Sequence, residues 1–126
     1  MTYLDTHVVV WLYAGMTDLL PPSMRQLLNA SDLYVSPMVM LELQYLYEIG
    51  RTTEPGSVVV LDLSQRIGLR VSEEPLHRVI ALALQQTWTR DPFDRIIVGQ
   101  AALQQHTLIT KDRTMRDHYP YAVWDE

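Results

Sequence analysis

The sequence predicts an α/β domain built on a mostly parallel five-stranded sheet. Three observations carry that prediction. Short β-like runs alternate with longer helical runs from end to end, the pattern that layers helices against parallel strands. No repeat, low-complexity tract or linker interrupts the alternation. And 126 residues, 48% of them hydrophobic, suffice for a single domain (residues 1–126) with a real core and no disulfide or metal staple.

Each element has its own local reason. "TYL" reads as a short first strand, and "DTHVVVWLYAG" after it as a helix ending at Gly15. "PPSMRQLLNA" opens on prolines, which suit a first helical turn, and "LYV" is a second strand. "SPMVMLELQYLYEIG" has Ser36 as N-cap, Pro37 at the first helical position and Gly50 past the end. "GRTTEPGS", residues 50–57, is the loosest segment and reads as a loop. "SVVVLDLSQRIG" is ambiguous, since its valines suit a strand while its length and Gly68 suit a helix. "LRV" is a third strand, "EPLHRVIALALQQ" an amphipathic helix and "DPFDRIIVGQAALQQH" another. "TLIT", a short helical turn "DRTMRDHY", and a final strand "YAVW" complete the chain.

Composition bounds the function. The longest apolar run, "VVVWLYAGM", falls well short of the ~20 residues that span a bilayer, and "MTYLDTH" lacks a signal peptide's basic start. A cytoplasmic location without membrane attachment is therefore expected. With no cysteine, thiolate metal sites and disulfides are excluded. The net charge of −5, from 15 acids against 10 Lys and Arg, disfavours passive nucleic-acid binding. Binding follows the local field, however, and Arg90, Arg95, Lys111, Arg113 and Arg116 gather in the C-terminal third.

Four acids occupy telling places. In open parallel sheets, ligands bind beyond the carboxyl ends of strands where strand order reverses. Asp5 follows "TYL" directly and Asp112 follows "TLIT" one residue on, so neighbouring strands would put both in that crevice. Taken singly, each is more simply a cap or turn residue. Glu42 shares its helical stripe with Met38, Val39, Tyr45, Leu46 and Ile49, so it points inward, where a lone carboxylate is costly unless paired or metal-bound. In "RDPFDR", Asp91 is accounted for as N-cap with Pro92 in the first turn. Asp94 is not, because Ile97, Val98 and Ala101 place it over the buried stripe. Asp91 is assigned to structure and Asp94 to chemistry. Converging carboxylates repel until a hard divalent cation arrives, which points to Mg²⁺ or Mn²⁺ and phosphodiester displacement by water. No catalytic Ser, Cys or His is then needed.

"YLDTHVVVWL", "LEL" around Glu42, "RDPFDRIIVGQA" and "LITKD" together resemble PIN-domain proteins of the VapC toxin type, over nearly the whole chain. The resemblance implies a three-layer α/β/α sandwich. It also implies a Mg²⁺- or Mn²⁺-dependent endoribonuclease toxin, held inactive by a VapB-like antitoxin and usually homodimeric. By position, Asp5, Glu42, Asp94 and Asp112 are its catalytic and metal-binding acids, with Asp5 and Asp94 foremost. Thr110 resembles a hydroxyl residue that often precedes the last acid, and "VGQA" carries a glycine where alanines often flank the glutamine.

Other residues are weighed and mostly set aside. His7, His77, His106 and His118 lack metal-ligand spacing, although His7 lies close to Asp5. Trp11, Tyr13, Tyr45 and Tyr47 suit base stacking, but more often serve core or interface, and exposed apolar positions on the early helices would suit a homodimer. Arg90, Arg95, Lys111 and Arg113 are candidates for RNA phosphate contacts, against solvated surface charge as the alternative. The competing function is a non-catalytic PIN-like module that binds protein or RNA; retention of all four acids argues against it. A phosphotransfer receiver needs an acidic pair after the first strand, and a haloacid-dehalogenase-type phosphatase needs a second aspartate two residues after Asp5. "LDTHV" supplies neither.

Overall fold

The computed structural model describes residues 1–125. Glu126, the last residue of the expected domain, lies outside the described residues. In chain order the elements are β1 (Thr2–Leu4), α1 (Thr6–Tyr13), a single 3-10 turn (Thr17–Leu19), α2 (Pro22–Ala30), β2 (Leu33–Val35), α3 (Pro37–Glu48) and α4 (Gly56–Ile67). There follow β3 (Arg70–Val71), α5 (Leu76–Ala83), α6 (Pro92–Ala102), β4 (Thr107–Ile109), α7 (Arg113–His118) and β5 (Ala122–Val123).

The ambiguous segment 57–68 is helical. Gly68, at φ +72°, ends α4 in the left-handed region, and its N–H bonds back to Leu63 and Ser64. Valine propensity yields here to a terminator that only a helix uses. Helix α6 stops at Ala102 rather than running on to residue 106, and the chain turns through Gln105 at φ +56°. The 3-10 turn at Thr17–Leu19 had no clear signal in the sequence.

Strand order is β3-β2-β1-β4-β5, and every pairing is parallel. The chain builds outward from β1 through β2 to β3, then crosses back to lay β4 on the other side of β1. Order therefore reverses between β1 and β4, whose register pairs Leu4 with Ile109. All three β1 residues are buried. Successive strand residues point to opposite faces, so Tyr3 and Leu4 both being buried means that helices cover both sides of the sheet. This is the three-layer arrangement, with a core running through Val8, Val35, Val39, Ile97, Val98 and Leu108.

Two helix pairs approach closely enough to require glycine. A Cβ on Gly99 of α6 would stand 2.9 Å from Ala83 N of α5, and one on Gly56 at the start of α4 would stand 2.4 Å from Met40 O of α3. The glycine in "VGQA" thus seats α5 on α6. Among the described residues, no helix is long and apolar enough to cross a membrane.

Candidate active site

The crevice at the β1/β4 switch point collects acids from four separate segments, with Asp91 and Asp94 sharing the start of α6. Asp5, Glu42, Asp91, Asp94 and Asp112 all line one open cavity of about 500 Å³, together with Thr6, His7, Trp11, Arg51 and Thr52. The four acids singled out by sequence are thus brought together, with Asp91 as a fifth.

Asp5 is only 4% exposed. Its Oδ1 accepts the Thr6 N–H at 2.8 Å, and its Oδ2 accepts the Thr110 hydroxyl at 2.7 Å. Thr110, fully buried at the end of β4, also accepts the Asp112 N–H at 3.0 Å, so one hydroxyl ties the two strand-end acids together. Asp112 caps α7 by accepting from Met115 N at 3.1 Å. The capping and chemical readings of Asp5 and Asp112 therefore coexist: both residues begin helices, and both line the crevice. Asp91 caps α6 through the Phe93 N–H at 2.8 Å and is exposed.

Glu42 and Asp94 carry no cap. The Thr6 hydroxyl donates to Glu42 Oε1. Burial raises the Glu42 pKa above the usual carboxylate range; the Thr6 bond opposes this, while Asp5 and Asp91 add to it. Among the described residues, the Asp94 carboxylate accepts no hydrogen bond and forms no ion pair. Its pKa is pushed up to about 7, first by burial and then by the negative charges of Asp91, Asp5, Asp112 and Glu42. Among the described residues, His7 stands closest to pairing with these acids, its Nδ1 3.4 Å from Asp5 Oδ2. The Lys111 N–H donates to His7 Nε2 at 2.9 Å, so the proton of the neutral ring sits on Nδ1, facing Asp5. Burial lowers the His7 pKa against the opposing pull of Asp5 and Asp112.

This donor set fits a hard divalent cation: five carboxylates, none of them paired with a guanidinium or ammonium among the described residues, and a half-buried one without a partner. No three His, Asp or Glu side chains among the described residues meet tightly enough to enclose an ion by themselves.

The family model for the PIN domain matches residues 2–119. The chain belongs to the PIN-domain family. A curated relative of this PIN domain, ribonuclease VapC22 of Mycobacterium tuberculosis (strain ATCC 25618 / H37Rv), is 31% identical over 127 residues, covering 96% of each chain. Solved toxin–antitoxin assemblies share the fold of the present chain. VapBC2 from Rickettsia felis, bound to a DNA fragment from its promoter, matches with a TM-score of 0.64 at 22% identity, covering 99% of this chain and 100% of that one. A toxin–antitoxin complex from Klebsiella pneumoniae matches with a TM-score of 0.62 at 20% identity, covering 98% and 96%.

The cations of this PIN domain are arranged differently from the cluster in its sequence. Arg90 donates to the Thr87 and Thr89 carbonyls, and Arg95 to the Gln86 carbonyl at 2.9 Å. Lys111 and Arg113 are exposed beside Asp112, and none of the four lines the crevice. The cation that does is Arg51, from the loop between α3 and α4. Sequence reasoning passed over Arg51, Thr6 and Thr52 and set His7 aside. Only the placement of Thr6 and His7 immediately after Asp5 offered a signal for them.

Proposed function

We propose that this PIN-domain protein is a Mg²⁺- or Mn²⁺-dependent endoribonuclease, the toxin of a toxin–antitoxin pair, working as one cytoplasmic domain. One observation carries the proposal: five carboxylates from four separate segments line a single crevice, and Asp94 among them has neither hydrogen bond nor counter-charge among the described residues. The ribonuclease relative at 31% identity supports the reaction class, and the toxin–antitoxin neighbours support the biological role.

Asp5 and Asp94 are the principal ligands in this reading, with Glu42 and Asp112 beside them. A divalent cation bound there lowers the pKa of water and offsets charge on the phosphate under attack. The chain does the rest. Thr110 holds Asp5 Oδ2 and the Asp112 backbone in fixed relation, and Thr6 orients Glu42. Asp94, its pKa pushed up to about 7 by burial and neighbouring acids, would hold the cation as its ionised form, which positive charge in the crevice would favour. Arg51 at the crevice wall steadies a backbone phosphate, and Arg90, Arg95, Lys111 and Arg113 act farther along the strand.

A homodimer is part of the proposal. The large exposed apolar side chains that line one shared groove lie on α3 and α5. Leu41 is 56% exposed and Leu76 65%; with Met38, Ile80 and Ile96 they border an apolar groove that a second copy would cover. An antitoxin would then bind elsewhere and shield the acids.

Purified protein incubated with structured RNA and Mg²⁺ is expected to cleave it, and Asp5→Asn or Asp94→Asn to abolish cleavage with the circular dichroism spectrum retained. Cleavage that survives either substitution, with contaminating nuclease excluded, rejects the proposal.

A further inference from the structure

The acid crevice does not end at Arg51. Past Val10, Arg51 and Thr52, which line both spaces, it continues into a second cavity of about 180 Å³ walled also by Tyr13, Leu43 and Glu54. That volume is small beside the roughly 300–1,000 Å³ of a typical small-molecule site, and its walls are mainly apolar with a few polar groups. One of those groups is unspent: Thr52 Oγ1 is buried and has no hydrogen-bond partner among the described residues. Buried hydroxyls in folded proteins are nearly always satisfied by protein or water, so this one can take a polar partner that a small shift of the cavity wall admits.

The loop that builds this wall is fixed rather than loose, despite its composition. Gly50 turns at φ +79°, and the Arg51 N–H bonds back to Leu46 O at 2.8 Å, closing the C-terminus of α3. At the other end the Gly56 N–H donates to Gln44 Oε1 at 3.1 Å, and the absence of a Cβ lets Gly56 lie against Met40 O. Arg51 stands at the junction of the two spaces, exposed and without an ion pair among the described residues. A strand whose scissile phosphate sits at the acids would lay an adjoining phosphate on Arg51 and swing one base into the cavity. Single-stranded RNA is read in just this way, by splayed bases held on side chains and hydrogen-bonded at their edges.

We propose that this cavity is a base-recognition subsite, resting on the ribonuclease reading above. It takes one unstacked nucleobase carrying an exocyclic amine (guanine, adenine or cytosine) in preference to uracil, at a position adjoining the cleaved bond. Glu54 accepts from the amine, Thr52 Oγ1 completes the edge contact, and Tyr13 with Val10 and Leu43 covers the faces. Uracil has no exocyclic amine: its one edge donor, N3–H, is flanked by two carbonyl oxygens, so a Glu54 carboxylate that reaches it meets an acceptor on either side. Sites that hydrogen-bond a substrate group discriminate strongly against substrates that lack it.

The test is sequencing of cleavage products from an RNA library randomised across the cleaved region. Wild type, Thr52→Val, Thr52→Ser and Glu54→Gln are compared as ratios of rates between bases at each position, so overall turnover cancels. Wild type is expected to disfavour uracil at one adjoining position by roughly tenfold or more. Thr52→Val and Glu54→Gln flatten that ratio, while Thr52→Ser retains it. Melting curves establish that each variant is folded, and Glu54→Gln, on a partly exposed loop residue, keeps the test available if Thr52→Val is not. Cleavage by all four with one unchanged base profile overturns the subsite while leaving the nuclease intact, and assigns the cavity to a protein side chain. Absence of cleavage by wild type with Mg²⁺ or Mn²⁺ overturns the nuclease reading, and the subsite with it.

Discussion

Asp94 offers the sharpest prediction because its perturbation has a definite sign. Its carboxyl pKa lies near 7 in the folded protein against an ordinary 3.8. Between those values the native state holds a proton that the unfolded chain has released, so stability falls as pH rises. In chelator-treated protein, this contribution is fully present below pH ~4 and is lost as the pH passes through about 7. At about 1.4 kcal/mol per tenfold change in proton affinity the full shift would correspond to about 4 kcal/mol. Asp94 is only half-buried, and solvent screening reduces the expected effect to about 1–2 kcal/mol. For a chain of this size that is a melting-temperature decline of about 4–8 °C between pH 4.5 and 8. Asp94→Asn cannot ionise and should remove most of this decline, melting above wild type at pH 8 in chelator. Mg²⁺ at about 100 times its dissociation constant should restore wild type by about 2.7 kcal/mol and leave Asp94→Asn nearly unchanged. The assay is differential scanning fluorimetry across pH, with and without chelator. A wild-type pH slope matched by Asp94→Asn would refute the placement of Asp94 among unneutralised acids.

Three further outcomes follow from named contacts. Thr110→Val removes the hydroxyl that joins Asp5 Oδ2 to the Asp112 N–H, and should cost about 1–3 kcal/mol in urea unfolding and weaken Mn²⁺ binding. Thr110→Ser should recover both, and a silent Thr110→Val would contradict the tie. Gly99→Ala forces a Cβ to within 2.9 Å of the Ala83 backbone and should lower stability by about 1–3 kcal/mol, read by thermal melting. Leu41→Glu with Leu76→Glu, at side chains 56% and 65% exposed, should convert a dimer to monomer by light scattering without lowering the melting temperature of the monomer. A wild-type protein that already runs as a monomer would remove the dimer from the account.

The legible parts of this protein were those written in short-range chemistry. Ser36, Pro37 and Asp91 announce their helices through capping, and the structure shows the Ser36 hydroxyl accepting from Met38 N at 3.1 Å and Asp91 from Phe93 N. Asp94 could be singled out because an acid on an apolar stripe contradicts its surroundings, a statement about period alone. The stripe read for Glu42 differs from the structure, since Tyr45 and Ile49 are each 49% exposed and α3 buries Val39 and Leu43, yet Glu42 still lines the crevice. The extent of α6 was less legible, since "AALQQH" continues its helical pattern while Gln105 turns into the left-handed region to deliver β4. Arg51 was invisible for another reason. Its position in the crevice depends on how α3 and α4 fold back together, 46 residues from Asp5 in sequence, and composition marked that loop as slack. The basic cluster of the C-terminal third is a different matter: adjacency in sequence to Asp94 and Asp112 leaves Arg90 and Arg95 on backbone carbonyls outside the crevice lining.

The most direct measurement is a calorimetric titration of Mn²⁺ into chelator-stripped wild type, Asp5→Asn, Glu42→Gln and Asp94→Asn. The convergence of these side chains at the β1/β4 switch point predicts binding by wild type and at least tenfold weaker binding by Asp5→Asn and Asp94→Asn. Equal binding by all four proteins, or none by wild type, would contradict it.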